Sequence, residues 1–166
     1  MRDCALNNPH YKKMYLRKAE YNDLPLMMAW RSNPLVYKGF YTQTKPLEWE
    51  EHINYWNSRN QDWHLFIVMY EERPIGIVGI GQTDHWSPEI GYTIGEVSLW
   101  GKGLGRKAVN LGIEWLRNHS RTNKHIVAFH TTIPKDNKRG LRLAKSLGLK
   151  ISGDARKGEY WLTGKL

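Results

Sequence analysis

Trp100-Gly101-Lys102-Gly103-Leu104-Gly105-Arg106 is the stretch on which the reading of this chain turns. Glu89 to Gly95, just before it, predicts a β-strand. Gly103 to Asn118, running on from it, carries Leu104, Ala108, Leu111, Ile113, Trp115 and Leu116 at helical spacing. Glycines at alternate positions let backbone N–H groups converge on an anion and keep Cβ atoms out of its way. The helix that follows adds the positive end of its dipole, and Lys102 and Arg106 add charge at the rim. A Walker loop needs Ser or Thr after its lysine, whereas Lys102 is followed by Gly103; the dinucleotide fingerprint needs G-x-G-x-x-G, whereas this turn reads G-x-G-x-G. Both are excluded by spacing. Spacing alone equally admits a turn that merely joins a strand to a helix.

Outward from the turn, Met14 to Arg17 predicts a short strand. Asn22, Asp23 and Pro25 then read as the start of a helix that ends near Ser32-Asn33-Pro34. An aromatic loop holding Tyr37, Phe40 and Tyr41 leads to a second helix over Pro46 to Arg59, with Glu48, Glu50 and Glu51 near its positive end. Trp63 to Tyr70 and Ile75 to Gly81 predict a hairpin turned by Glu71-Glu72-Arg73-Pro74. Beyond the glycine turn and its helix, His125 to Thr131 predicts a strand. Pro134 and Asp136 open a last helix to Leu147, closed by Gly148. Leu149 to Ser152 and Glu159 to Leu162 predict a final hairpin. The alternation makes residues 1–166 one α/β domain with a mixed sheet.

The 166 residues are enough for one such core without disulfides. The net charge of +9 favours anionic partners such as phosphorylated cofactors; no arginine-rich tail is present to argue for specific nucleic-acid binding. The single cysteine, Cys4, suits a reducing compartment. No apolar h-region follows Met1, and the longest unbroken apolar stretch, Leu65 to Tyr70, is too short to span a bilayer. A cytoplasmic monomer or homodimer without membrane contact is the expectation. The histidines are scattered without H-x-x-x-H spacing, so no metal is expected.

The glycine turn resembles motif A of the GNAT superfamily of N-acetyltransferases, [QR]-x-x-G-x-[GA], with Trp100 where that family often has Gln or Arg. The Trp-Gly-Lys-Gly form is similar to the ribosomal-protein and nucleotide-sugar N-acetyltransferase subgroup. Leu16-Arg17-Lys18-Ala19 with Asp23-Leu24, Ala29-Trp30-Arg31-Ser32-Asn33-Pro34, Arg73-Pro74-Ile75-Gly76, Glu89-Ile90-Gly91-Tyr92, and Asn137 before Leu147-Gly148-Leu149 extend the resemblance over nearly the whole chain. It implies a mixed, mostly antiparallel central sheet flanked by helices, with acetyl-CoA as cofactor. Trp100, Gly101, Lys102, Gly103, Leu104, Gly105 and Arg106 would hold its pyrophosphate. Backbone groups of Tyr92, Thr93, Ile94, Gly95 and Glu96 would pair with the pantetheine, and Asn137 would meet the cofactor from the last helix.

Acyl transfer from a thioester to an amine requires a neutral amine, a stabilised oxyanion and a proton for the departing thiolate. Glu89, at the head of the fourth strand, is the first choice of base, although a solvated glutamate fits that position as well; His85, in the loop before it, is the second. Many members of the family place a tyrosine seven residues after the motif asparagine, where this chain has Ala144. Ser146, Tyr160 or a water would have to replace it. Trp30, Tyr37, Phe40, Tyr41, Trp56, Trp86 and Trp161 are candidates for an aromatic substrate wall. The expected acceptor is a primary amine of a small molecule or an amino-sugar nucleotide. Acetylation of a protein N-terminus and a non-catalytic acyl-CoA-binding module are the alternatives.

Overall fold

The computed structural model describes residues 14–40, 43–59, 61–156 and 158–166; the expectations for Cys4 and Tyr41 lie outside the described residues. The strands are β1 (Met14–Lys18), β2 (His64–Tyr70), β3 (Arg73–Gly81), β4 (Glu89–Ile94), β5 (Ala128–Pro134), β6 (Lys150–Asp154) and β7 (Glu159–Lys165). They form one sheet in the order β1-β2-β3-β4-β5-β7-β6, in which only β4 and β5 pair in parallel. The helices are α1 (Leu24–Ser32), α2 (Pro34–Tyr37), α3 (Trp49–Asn57), α4 (Leu104–Ser120) and α5 (Lys138–Ser146). The mixed, mostly antiparallel sheet flanked by helices is therefore as expected.

The sheet buries both faces, as the near-continuous apolar runs of β2 and β3 require. On one face, Val68, Val78, Ile80, Ile90 and Ile94 pack against Leu104, Ala108, Leu111 and Leu116 of α4. On the other, Ile67, Met69 and Ile77 pack against Leu24, Met27 and Trp30 of α1. Neighbouring residues of one strand thus feed opposite cores.

Several boundaries differ from the sequence reading. β5 begins at Ala128 rather than His125, because Ile126 turns back onto Asn123 and the amides of Val127 and Ala128 both donate to the Trp86 carbonyl. Pro134 ends β5, paired with Glu159, and does not open α5; Asn137 caps that helix, its Oδ1 accepting from the Gly140 amide at 2.9 Å. α3 starts at Trp49, not Pro46, since Glu48 and Glu51 form a reciprocal capping box there. Residues Tyr21–Asp23 form a 3-10 turn, so Asn22 is not the cap; Asp23 precedes α1 and is ion-paired to Arg17 at 2.8 Å. The β2–β3 turn is tighter than the four residues expected, with Glu71 and Glu72 at φ 48° and 62° and Arg73 already in β3. The short helix α2 was not foreseen. Asn33 caps it, and Pro34 fits its first turn.

Candidate active site

β4 and β5 share a single bridge, Glu89 with His130, and then diverge. A cleft of 1090 Å³ opens where they part, reaching from α4 and α5 through the sheet to α1, α2 and α3. The divergence leaves one edge of β4 bare. The amides of Gly95 and Glu96 both donate to the Ile75 carbonyl, at 2.9 and 3.1 Å, which points them at β3. In an antiparallel ladder successive residues aim at opposite edges, so Tyr92 and Ile94 face the gap. The Ile94 carbonyl is taken by the Trp100 indole N–H at 2.8 Å. The amides of Tyr92 and Ile94 and the Tyr92 carbonyl remain, a set that an extended ligand can pair with as an added strand.

The glycine turn borders the same cleft. Gly101 and Gly103 have φ of 81° and 75°, and a Cβ placed on either would meet no atom within 4 Å beyond its chain neighbours. Gly103 precedes the 17 residues of α4 and supplies no side-chain cap. The first-turn amides of Leu104, Gly105 and Arg106 therefore lack both intrahelical acceptors and a cap. Open space beside left-handed glycines, unsatisfied donors and a helix dipole fit an anion of phosphate type. Trp100 staples this turn to β4 and lies under the Arg139 guanidinium, 4.9 Å from the ring centre. Arg106 binds the Ser146 carbonyl at 3.2 Å, tying α4 to the end of α5. Lys102 is exposed at the tip.

Strand alternation divides the remaining side chains. Glu89 and Thr93 point to the α1 and α3 face, Tyr92 and Ile94 to the α4 and α5 face. Glu89 is half-buried, lines the cleft and stands across the bridge from His130. His130 is buried, with Nδ1 2.8 Å from the Ser87 carbonyl, and burial is the main cause of its lowered pKa, opposed by that bond and by Glu89. Tyr92 packs over Gly105. Burial pushes its phenol pKa up, partly offset by Arg139. Arg31, Glu51, Arg156 and Glu159 also line the cleft and were not singled out from sequence. Arg31 was in view within the Trp30-Arg31 motif. Glu159 gave no signal, since nothing in its sequence neighbourhood marks a start-of-strand glutamate as 5% exposed.

Several expected site residues stand elsewhere. Ser146 is exposed, and its hydroxyl donates into its own helix at Leu143 O, 2.7 Å, so it is not positioned to protonate a thiolate in the cleft. Tyr160, its alternative, packs against the core and under Lys135. His85 and Trp86 are exposed on the loop before β4, at the end where the Glu89–His130 bridge closes the gap, and neither lines the cleft. Trp30 is 4% exposed and donates its indole N–H to Glu96 at 2.9 Å, which makes it core rather than substrate wall. Gly95 and Glu96 have their amides turned to β3, and Gly95 is a glycine because a Cβ there would overlap the Trp30 ring. Thr93 pairs with Ile77, so only its side chain faces the cleft. Trp161 stacks on His130, ring centres 4.2 Å apart, and does not line the cleft; nor do Tyr37 and Trp56. Phe40 does. Asn137 lines it too, although its oxygen is already committed to capping α5.

Residues 13–150 match the family model for the acetyltransferase (GNAT) domain. The chain belongs to the GNAT acetyltransferase family. An uncharacterized protein of Methanocaldococcus jannaschii is 42% identical over 151 residues, which is 89% of this chain and 30% of that protein. The chain thus spans under a third of that relative's length. The crystal structure of a domain from Methanocaldococcus jannaschii superposes with a TM-score of 0.86 at 40% identity, over 93% of this chain and 99% of that one. The GNAT fold recurs at lower identity in aminoglycoside acetyltransferase AAC(6')-Ib in complex with coenzyme A (TM-score 0.79, 18% identity, 92% and 94% of the two chains). It recurs again in spermidine N-acetyltransferase from Vibrio cholerae in complex with CoA and spermine (0.74, 17%, 93% and 95%). No helix among the described residues of this GNAT domain is long and apolar enough to cross a membrane.

Proposed function

We propose that this GNAT domain transfers an acetyl group from acetyl-CoA to a primary amine, of a small molecule or an amino-sugar nucleotide, by direct attack in a ternary complex. The observation that carries the reading is the bare edge of β4 running up to an uncapped, glycine-opened helix. A molecule with an extended amide chain at one end and a pyrophosphate at the other matches both parts at once. The complexes of the two structural neighbours with coenzyme A support that choice of cofactor.

Acetyl-CoA supplies, when bound, a thioester activated toward amines. Leu104, Gly105 and Arg106 hold the pyrophosphate with their amides. The Tyr92 carbonyl and the Ile94 amide would pair with the pantetheine, leaving the Tyr92 amide to donate to the developing oxyanion. The part of the cleft bounded by α1, α2 and α3 is taken as the acceptor lobe; Glu89, facing it from the head of β4, removes the ammonium proton through a water. Ala144 brings no proton to the thiolate. Tyr92 fills that role: its phenol lies on the α5 face of the cleft, and burial keeps it protonated.

The test is calorimetric titration with acetyl-CoA, followed by thiol release in the presence of an amine panel. Binding with thiol release on one amine class is expected. Binding with no turnover on any amine would make this a non-catalytic acyl-CoA module, and no binding would end the proposal.

A further inference from the structure

The acceptor lobe holds a guanidinium that no ion pair among the described residues neutralises. Arg31, at the end of α1, lines the main cleft and also a side pocket of 220 Å³ shared with Gln43, Lys45, Leu47 and Glu51. It lies against aromatic rings, 5.2 Å from the centre of Phe40 and 5.9 Å from that of Tyr55. One of its nitrogens reaches Gln43 Oε1 at 3.3 Å, while its buried Nε has no partner. Arg59 also lies against Tyr55, 5.8 Å from that ring's centre and 4.1 Å from the centre of Trp56, and its Nε is likewise buried without a partner.

Neither guanidinium enters any ion pair among the described residues. Glu51, the acid that shares the side pocket with Arg31, turns its carboxylate back to the Glu48 amide at the head of its own helix, 3.4 Å away. Burial lowers the pKa of both arginines, with Tyr55 the sole opposing group. Partly desolvated cations without a counter-ion are costly, and arginine stays charged. A planar fork between aromatic walls is suited to bidentate capture of an oxyanion.

We propose that the acceptor carries, besides its amine, an anionic group of phosphate or carboxylate type that Arg31 binds, with Arg59, beside Tyr55 and Trp56, reinforcing the field. The inference rests on the acetyltransferase reading above, because it takes this lobe for the acceptor's. It narrows the acceptor from amines in general to amines with a nearby oxyanion, and it disfavours polycationic amines.

The experiment is run on the protein saturated with CoA, so that the glycine cradle is occupied, and CoA affinity is measured separately beforehand. Calorimetry then follows titration with uridine diphosphate, as a phosphate probe, and with glutarate, as a carboxylate probe. One of the two is expected to bind, which identifies the anion. Arg31→Gln should weaken that binding about 10- to 100-fold, the range for loss of a charged hydrogen-bonding partner, with Arg31→Lys intermediate. CoA affinity should stay unchanged, which also certifies folding. Hydrogen exchange on the wild-type protein provides a variant-free arm: the bound probe should protect peptides covering 31–36 and 52–59. No binding of either probe to the CoA-saturated protein, or binding that neither Arg31→Gln weakens nor those peptides register, overturns the inference. Failure to bind CoA at all would instead remove the acetyltransferase reading.

Discussion

Gly103→Glu separates two properties of the glycine turn, its left-handed conformation and the open space that the proposed function fills with an anion. At φ 75° any side chain is strained, by about 1–2 kcal/mol for the left-handed region. Beyond the chain neighbours, no atom lies within 4 Å of a Cβ there, so the free protein has no packing clash to add. Gly103→Ala and Gly103→Glu should therefore lose nearly the same stability, read as a shift in urea midpoint with unchanged slope. Their cofactor affinities should diverge. A carboxylate about 4 Å from a phosphate charge repels it by about 4 kcal/mol at an effective dielectric near 20, a loss of about 10³-fold. Alanine has no such charge. Titration with CoA should accordingly show Gly103→Ala weakened moderately and Gly103→Glu without measurable binding, the gap shrinking as salt is added. A folded Gly103→Glu protein that binds CoA as tightly as Gly103→Ala would refute the cradle.

Gly95→Ala drives a methyl into the Trp30 ring, and overpacking of this kind should cost about 3 kcal/mol in chemical denaturation; an unchanged midpoint would show that Trp30 is not fixed as described. Glu89→Gln should lower kcat about 10²- to 10⁴-fold, while CoA affinity stays the same; an unchanged kcat would remove Glu89 as the base. Tyr92→Phe should slow thioester cleavage with little change in acceptor KM, and an unaltered kcat would transfer the proton to another donor. Stability should fall as pH drops below about 6.5, because His52, His64, His119 and His130 all have pKa values lowered chiefly by burial and the unfolded chain then binds more protons than the folded one. Each unit of depression contributes about 1.4 kcal/mol, lost between the ordinary and the depressed pKa. Equal urea midpoints at about pH 7.5 and about pH 5.5 would contradict the burial of these rings.

Local patterns decided most of what was legible. Every described strand, and each helix except α2, was foreseen from period and turn residues. The ends drifted where hydrogen bonds outside the element won: the Trp86 carbonyl set the start of β5, and Asn137 set the start of α5. The aromatic wall was the weakest inference. An indole in sequence looks the same whether it packs inward, as Trp30 does, or stands in solvent, as Trp86 does.

The sequence by itself determined the phosphate-type turn, since alternating glycines ahead of an amphipathic helix are a local device that needs no distant partner. It also pointed to the GNAT architecture, through ordered matches along the chain. Only the tertiary structure decided the cleft, because that cleft is the absence of pairing between β4 and β5 beyond one bridge. It alone decided which amides of β4 face the gap, through two bonds to a carbonyl on β3, and which charges are left over in the acceptor lobe. That Arg31 has no ion pair among the described residues is invisible in a one-dimensional chain, where any glutamate could have been its partner; three-dimensional packing turned Glu51 back toward its own helix.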